Sequence, residues 1–141
     1  GVYGIFPQYG KNGLVEHNVL SKIADAAIYI GMCDNVDVRH NEVFDNVAGI
    51  EIENSRHCLV ENNYAHNNTG GLLAFVTPGL PIKTTFDVIL RNNFVENNNH
   101  ENWIWLTVPP RQMTRILKEI RTEWLSWTIL CSTMAMNPMV R

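Results

Sequence analysis

The chain of 141 residues lacks most of the features that mark specialised classes of protein. Its three cysteines are too few for a closed disulfide framework, and they lack the paired CxxC spacing of a zinc site. No run of about 18 uncharged apolar residues occurs, so we expect no membrane span. The net charge of −3 offers no basic surface, so we expect no nucleic-acid partner. No secretion signal is visible, and the oligomeric state stays open.

Glycine and tryptophan are each missing from one part of the chain. Residues 1–102 hold all nine glycines and 16 of the 17 asparagines, whereas residues 103–141 hold all four tryptophans and no glycine. The first part has 6 basic and 12 acidic residues, a charge of −6, and the second has 5 and 2, a charge of +3. This break predicts a boundary near Asn102 between a body, residues 1–102, and a separate tail, residues 103–141.

The body contains an internal repeat of about 22 residues. The pattern V-x-x-N, with Leu allowed for Val, ends at asparagines that are 23, 22 and 30 residues apart, namely Asn18, Asn41, Asn63 and Asn93. A second pattern, a small residue followed by aliphatic ones, starts at Ala27, Gly49 and Gly71 with spacings of 22 and 22. Two markers that keep one register predict a solenoid of stacked repeats.

Short alternating runs such as Ile50-Glu51-Ile52 are typical of half-buried strands. Strands this short bury their inner faces only if successive repeats stack, so the sequence predicts an all-β parallel β-helix of about four rungs. Equivalent aliphatic residues should then fill inward columns, one of them Ile28, Ile50 and Leu72. The longer third interval predicts a loop insertion at residues 77–83, where two prolines and a glycine occur.

The repeated asparagines and their neighbours predict two further columns. Asn18, Asn41, Asn63 and Asn93 should lie at a bend, where asparagine tolerates left-handed backbone geometry, and their amides should form a ladder. An outward column should alternate in charge and pair neighbouring rungs: Glu16, Arg39, Glu61 and Arg91.

The body resembles the right-handed parallel β-helix repeat proteins of the pectate-lyase-like superfamily. The segments DAAIYIG, NVAGIEIENS and NTGGLLAFVTPGLP carry the resemblance, which is to uncharacterised bacterial β-helix proteins. Related members include pectate lyases, polygalacturonases, mannuronan epimerases and a periplasmic factor that helps to supply copper to nitrous-oxide reductase. The resemblance implies a right-handed solenoid, an extracellular or periplasmic location and work on carbohydrate, but fold alone does not fix function. No catalytic motif of these families carries over residue by residue.

The tail does not continue the repeat, and two interpretations stay open. It forms a helix that caps the solenoid, with Ile116, Ile120, Trp124 and Trp127 along one side, or it is non-native, frameshifted sequence. We also expect the chain to be an internal fragment of a longer protein.

Two outward glutamates on one strand are the candidate site. Glu51 and Glu53 are two residues apart, so their Cα atoms should lie about 7 Å apart on one face. With Tyr29 and Phe75 beside them, they suggest a sugar-binding face, with rings stacking on a pyranose and carboxylates bonding its hydroxyls. The pair also suits Ca²⁺, which takes hard oxygen ligands, and otherwise no cofactor is expected. The plainer alternative is an ordinary solvated strand face.

Catalysis by Glu51 and Glu53 is a weaker hypothesis. Their spacing fits the carboxyl separation of inverting glycosidases, about 6.5–9.5 Å, whereas a lyase or epimerase needs a base that this acidic face does not supply. We therefore expect a fragment of a secreted or periplasmic solenoid that contacts a polysaccharide or glycan. The alternatives are a structural or assembly solenoid without a substrate site, and a polysaccharide lyase, hydrolase or epimerase.

Histidines and cysteines are expected to be structural. His17 and His40 are one rung apart, which suggests a shared metal, but Asn62 and Asn92 continue their column, so a polar turn position accounts for all four. Cys58 takes the inward slot that Val36 fills one rung earlier, as a small buried hydrophobe.

Overall fold

The computed structural model describes residues 1–100, which form eleven short strands. In chain order they are β1 (Lys11–Glu16), β2 (Val19–Ser21), β3 (Ala26–Gly31), β4 (Asp34–Arg39), β5 (Glu42–Phe44), β6 (Ala48–Glu53), β7 (Arg56–Glu61), β8 (Tyr64–His66), β9 (Gly70–Phe75), β10 (Phe86–Arg91) and β11 (Phe94–Glu96). Within this part of the chain no helix is long and apolar enough to cross a membrane. The predicted tail, with its alternatives of cap or foreign sequence, lies outside the described residues.

The strands form three parallel sheets because each coil of the chain adds one strand to each sheet. Sheet A has the order β3-β6-β9, sheet B the order β1-β4-β7-β10, and sheet C the order β2-β5-β8-β11. Residues 4–8 extend sheet A at one edge through the bridges Ile5–Ile28 and Gln8–Gly31. The predicted parallel solenoid of about four rungs is confirmed.

The core lies between the three sheets and is filled by the predicted inward columns. Ile28 pairs with Ile50 and Ile50 with Leu72 in sheet A, and all three are at most 2% exposed. Val36 pairs with Cys58 in sheet B, so the cysteine does take the valine slot, and both are buried. Each such aliphatic side chain stabilises the fold by about 1.5–3 kcal/mol, which is why the alternating pattern fixes the register.

Columns of left-handed residues turn the chain at the corners. At the corner between sheets B and C the residues with positive φ are His17, His40, Asn62 and Asn92, with φ of 57°, 54°, 54° and 53°. The prediction that the ladder asparagines themselves adopt this geometry is therefore wrong, since they follow it by one residue. The polar residue before each ladder asparagine makes the turn, and the asparagine then points inward.

The asparagine ladder itself is confirmed. The Nδ2 of Asn18 donates to Asn41 Oδ1 at 2.9 Å, that of Asn41 to Asn63 Oδ1 at 3.0 Å, and that of Asn63 to Asn93 Oδ1 at 3.0 Å. Each acceptor Oδ1 also receives the backbone N–H of the preceding ladder asparagine. Since Asn41 and Asn63 are 2% exposed, the ladder satisfies polar groups that water does not reach.

A second asparagine ladder, which the sequence analysis missed, runs along the corner between sheets C and A. The Nδ2 of Asn46 donates to Asn68 Oδ1 at 2.9 Å, and that of Asn68 donates to Asn98 Oδ1 at 2.8 Å. In the first coil Ile23 takes this place, and its backbone N–H donates to Asn46 Oδ1 at 2.9 Å. These asparagines follow the first ladder by five residues in three coils, a spacing that is visible in the sequence.

The outward charged column also has the predicted register. Arg39 Nε lies 3.0 Å from Glu16 Oε2, and Arg91 Nε lies 2.8 Å from Glu61 Oε2. Because these side chains are partly exposed, each pair contributes about 0–1 kcal/mol. Residues 76–85, which include the predicted insertion, connect β9 to β10 without a strand.

Candidate functional site

The outer face of sheet A brings the four predicted site residues together. Tyr29 on β3 pairs in register with Glu51 on β6, and Glu53 on β6 pairs with Phe75 on β9. We call this surface, made of Tyr29, Glu51, Glu53 and Phe75, the Glu51 face. Its residues point outward because the alternating isoleucines of the same strands point into the core.

Tyr29 and Glu53 form a buried pair within this face. Tyr29 is 5% exposed and Glu53 9%. The Tyr29 hydroxyl donates to Glu53 Oε2, and the Thr77 hydroxyl donates to Glu53 Oε1. The pKa of Tyr29 is raised above its usual range, mainly by burial and secondly by the hydrogen bond to Glu53. Both oxygens of Glu53 are thus occupied by hydroxyl groups of the protein.

Two neighbouring rings cover Tyr29. Its centroid lies 4.7 Å from that of Phe6, with the planes 25° apart, and 5.2 Å from that of Tyr3. The ring leans over Gly31, where an added Cβ would lie 2.2 Å from Tyr29 Cε1. Glycine at position 31 therefore leaves the space through which Tyr29 reaches Glu53, and the ring faces are packed against protein.

Glu51 differs from Glu53 although the two side chains share one strand face. It is half-buried, and within residues 1–100 its carboxyl has no hydrogen-bond partner. Burial raises the pKa of Glu51 to about 7, and the negative charges of Asp25 and Glu53 add to the rise. Near neutral pH this carboxyl exists in both protonation states, so it can donate a hydrogen bond as well as accept one.

Tyr3 and Asp25 belong to the same surface, and the repeat pattern did not point to them. Burial raises the pKa of Tyr3 to about 12, and the hydrogen bond to Asp25 and the charges of Asp25, Glu51 and Glu53 contribute. Tyr3 precedes the first repeated element and Asp25 lies in the turn before β3, so neither occupies an outward strand position. Three carboxyl groups consequently share this part of the surface.

The connection from β9 to β10 is attached beside the face. Asn54 holds it, since its Oδ1 accepts the Thr77 N–H at 2.7 Å and its Nδ2 donates to the carbonyl oxygens of Thr77, at 3.0 Å, and Ile82. The Thr85 hydroxyl donates to the Phe75 carbonyl oxygen at 2.6 Å. The insertion is thus anchored at its start and its end, next to Glu53 and Phe75.

Comparison with known protein families agrees with this architecture. A family model described as a right-handed beta helix region matches residues 1–105. The chain belongs to the right-handed beta helix family. The match also supports the handedness that the sequence resemblance implied. The search of curated proteins found no match, and neither did the search of solved structures.

The two histidines that the sequence suggested could share a metal lie at the corner between sheets B and C. The His17 and His40 rings stack with centroids 5.2 Å apart and planes 6° apart, beside a shallow open depression that Glu42 and Tyr64 also line. Within residues 1–100 no group of three or more His, Cys, Asp or Glu side chains is arranged to hold a metal ion. The left-handed corner accounts for both histidines, and Ca²⁺ at Glu51 and Glu53 stays a prediction.

A second cluster of aromatic rings, on sheet C, was also missed. His66 lies between Phe44 and Tyr64, with centroid distances of 5.1 and 4.1 Å. Its Nε2 lies 3.2 Å from Glu42 Oε1, and the Tyr64 hydroxyl donates to Glu96 Oε1 at 2.6 Å. Phe44 and His66 stack between adjacent coils, whereas Tyr64 and His66 stack side by side on β8. Tyr64 and His66 do alternate with Ala65 in the sequence, but a strand of three residues is too short for this alternation to stand out.

Proposed function

We propose that the Glu51 face contacts carbohydrate, in a secreted or periplasmic right-handed beta helix protein. One observation carries the proposal: Glu51 is a half-buried carboxyl without a hydrogen-bond partner within residues 1–100, among side chains whose polar atoms are bonded. Among residues 1–100 Arg56 Nε is the only fully buried side-chain nitrogen or oxygen without a partner, so the carboxyl oxygens of Glu51 are open to solvent and hence to a ligand. Sugar hydroxyls supply both donors and acceptors, which suits a carboxyl with a pKa of about 7.

The surroundings of Glu51 divide the predicted site residues into two roles. Glu51 and the half-buried Phe75 are available to a ligand, together with Phe6, which is 42% exposed. Tyr29 and Glu53 are positioning residues, because the ring and the carboxylate are already bonded and packed. Aromatic rings on the same face as a carboxyl are suited to a pyranose, whose C–H groups pack on a ring while its hydroxyls bond to the carboxyl.

The charge of the face favours a neutral glycan. Asp25, Glu51 and Glu53 contribute negative potential, and the outward columns of sheet A contain no lysine or arginine among the described residues. A polyuronate would be repelled by these carboxyl groups. We therefore place neutral hexose polymers ahead of pectate and alginate as ligands.

An array of neutral and acidic glycans, probed with the labelled chain of 141 residues, tests the proposal. We expect retention on neutral glycans and a loss of at least about tenfold in Glu51→Ala, since hydrogen bonds to charged groups contribute about 1.5–3 kcal/mol. Glu42→Ala, which removes an outward carboxylate from sheet C, is the matched control and should bind normally. The proposal fails if the wild type retains no glycan, which would favour a structural solenoid, or if both variants bind equally.

Glycoside hydrolysis is a second candidate, favoured by the raised pKa of Glu51, which suits a general acid. The partner carboxyl weakens it, because both oxygens of Glu53 accept hydrogen bonds from Tyr29 and Thr77. Analysis of products from neutral glycans, pectate and alginate, with and without Ca²⁺, decides between binding and turnover. Release of sugars that Glu51→Gln abolishes would replace the binding proposal by a hydrolase.

A further inference from the structure

The corner between sheets A and B is short in two coils and long in the next. β3 and β4 are joined by residues 32–33 and β6 and β7 by residues 54–55, whereas β9 and β10 are joined by residues 76–85. The surplus is eight residues, which we call the corner insertion (residues 77–84). Without it the third interval of the repeat would shorten from 30 to 22 residues, the length of the second. The corner insertion is thus an addition to a coil that is otherwise regular.

Thr85 marks the point where the regular coil resumes. It takes the place of Ser55, because the strands that follow the two residues pair in register. Each hydroxyl donates to the last carbonyl oxygen of the preceding strand, at 2.8 Å from Ser55 and at 2.6 Å from Thr85. Since the same hydrogen bond closes both corners, the turn itself does not need the corner insertion.

Asn54 holds the corner insertion against the preceding coil. Its side chain is fully buried, and its Oδ1 accepts the Thr77 N–H at 2.7 Å. Its Nδ2 donates to the carbonyl oxygens of Thr77, at 3.0 Å, and Ile82. The equivalent residue one coil earlier is Met32, so this asparagine belongs to no ladder. Because a buried amide needs partners, Asn54 suits only a coil that is followed by the corner insertion.

The corner insertion is also bonded to the Glu51 face. The Thr77 hydroxyl donates to Glu53 Oε1. The backbone N–H of Asn54 donates to the Phe75 carbonyl oxygen at 3.2 Å, so the residue that holds the corner insertion also fixes the strand that carries the Phe75 ring. The corner insertion therefore borders the face on the side of Glu53 and Phe75, where it limits how far a ligand extends toward sheet B.

We propose that the corner insertion is a rim that determines which glycans the Glu51 face accepts, and that Asn54 is its positioning residue. The role of the rim rests on the proposed contact with carbohydrate. Pro78 and Pro81 at the tip are exposed, and their fixed φ angles stiffen the rim, so it excludes a ligand by steric clash. The rim should admit unbranched neutral glycans and exclude those that branch over the corner between sheets A and B.

A glycan array with linear hexose oligosaccharides, and the same oligosaccharides with one hexose branch, tests the rim. We expect the wild type to prefer the linear members at least about tenfold, because the branch meets the rim. A variant that lacks residues 77–84 should lose most of this preference and still bind the linear members, since it keeps Glu51. Equal binding of both sets by the wild type, or an unchanged preference in the deletion variant, would overturn the rim alone. A wild type that retains no glycan would overturn the proposed function together with the rim.

Asn54→Gly tests the positioning role in the chain of full length. Because φ of residue 54 is 47°, glycine removes the side-chain hydrogen bonds without straining the backbone. We expect the preference for linear glycans to fall at least about fivefold while their binding is retained. Asn62→Gly, with φ of 54° at another corner, is the matched control and should keep the preference.

Combining the two changes shows whether Asn54 acts through the corner insertion. In the variant that lacks residues 77–84, Asn54→Gly should change the preference no further, since the segment that Asn54 positions is gone. An additional loss there, an unchanged preference in Asn54→Gly alone, or an equal loss in Asn62→Gly would overturn the positioning role.

Discussion

The asparagines of the ladders and Glu51 on the Glu51 face are all at least partly removed from water, but their hydrogen bonding differs. The side chain of Asn63 accepts two hydrogen bonds from Asn41 and donates one each to Val38 and Asn93. Glu51 has none within residues 1–100 and lies near two other acidic groups. The number of partners thus separates a side chain that holds coils together from one whose carboxyl no described residue bonds to.

The largest effect should follow from breaking a ladder. In Asn63→Ala the buried N–H groups of Asn41 lose their acceptor and the Val38 carbonyl loses a donor, and each such buried group costs about 1–3 kcal/mol. We expect a loss of about 3–5 kcal/mol, which is a large part of a typical domain's stability, measured as a fall of at least about 10 °C in Tm.

The adjacent asparagine provides the control for this experiment. Asn62 is exposed with φ of 54°, a conformation that glycine adopts readily, so Asn62→Gly should change stability little. Equal losses in Asn63→Ala and Asn62→Gly would show that the ladder bonds do not hold the coils together.

A smaller effect should appear in the pH dependence of stability, through Glu51. Its folded-state pKa of about 7 lies above the usual value, so the folded protein binds the proton more tightly than the unfolded chain does. The free energy of unfolding is therefore highest below about pH 4.5 and falls as the pH rises to about 7, by about 3.4 kcal/mol at most and by less in so far as solvent screens the half-buried carboxyl. Glu51→Gln should abolish this slope in chemical denaturation series between pH 4.5 and 7.5. If the slope is unchanged in Glu51→Gln, other titratable groups cause the pH dependence.

The repeat made most of the fold predictable from the sequence. Because the repeat has a nearly constant length, equivalent residues of successive coils lie in register. The columns that contain Ile50, Asn41 and Arg39 therefore follow from the sequence alone. The turn residue could not be separated from the ladder residue by spacing alone, because His40 and Asn41 are neighbours and both are polar. The second ladder was missed because Ile23 interrupts its pattern in the first coil.

The sequence predicted which residues form the candidate site, but it did not predict how deeply each of them is buried. Strand alternation places Tyr29, Glu51 and Glu53 on one face whatever surrounds them. The burial of Tyr29 depends on Tyr3, which lies outside the repeated element, and on Gly31, over which the ring leans. The environments of the two glutamates also differ because of residues outside the repeated element. Thr77, in the insertion, donates a hydrogen bond to Glu53, and the charge of Asp25, in a turn, raises the pKa of Glu51. Contacts made by residues outside the repeat carry no periodic signal.

The most direct test of the central claim compares Glu51→Ala with Glu53→Ala at pH 8, measuring both Tm and retention of a glycan that the wild type binds. We predict that Glu51→Ala loses the glycan and has a Tm equal to or above that of the wild type, since it removes a carboxylate that no described residue bonds to and whose charge destabilises the fold at pH 8. Glu53→Ala should lower Tm, because the hydroxyls of Tyr29 and Thr77 lose their acceptor. The account is contradicted if Glu51→Ala lowers Tm as much as Glu53→Ala does, or if it binds the glycan like the wild type.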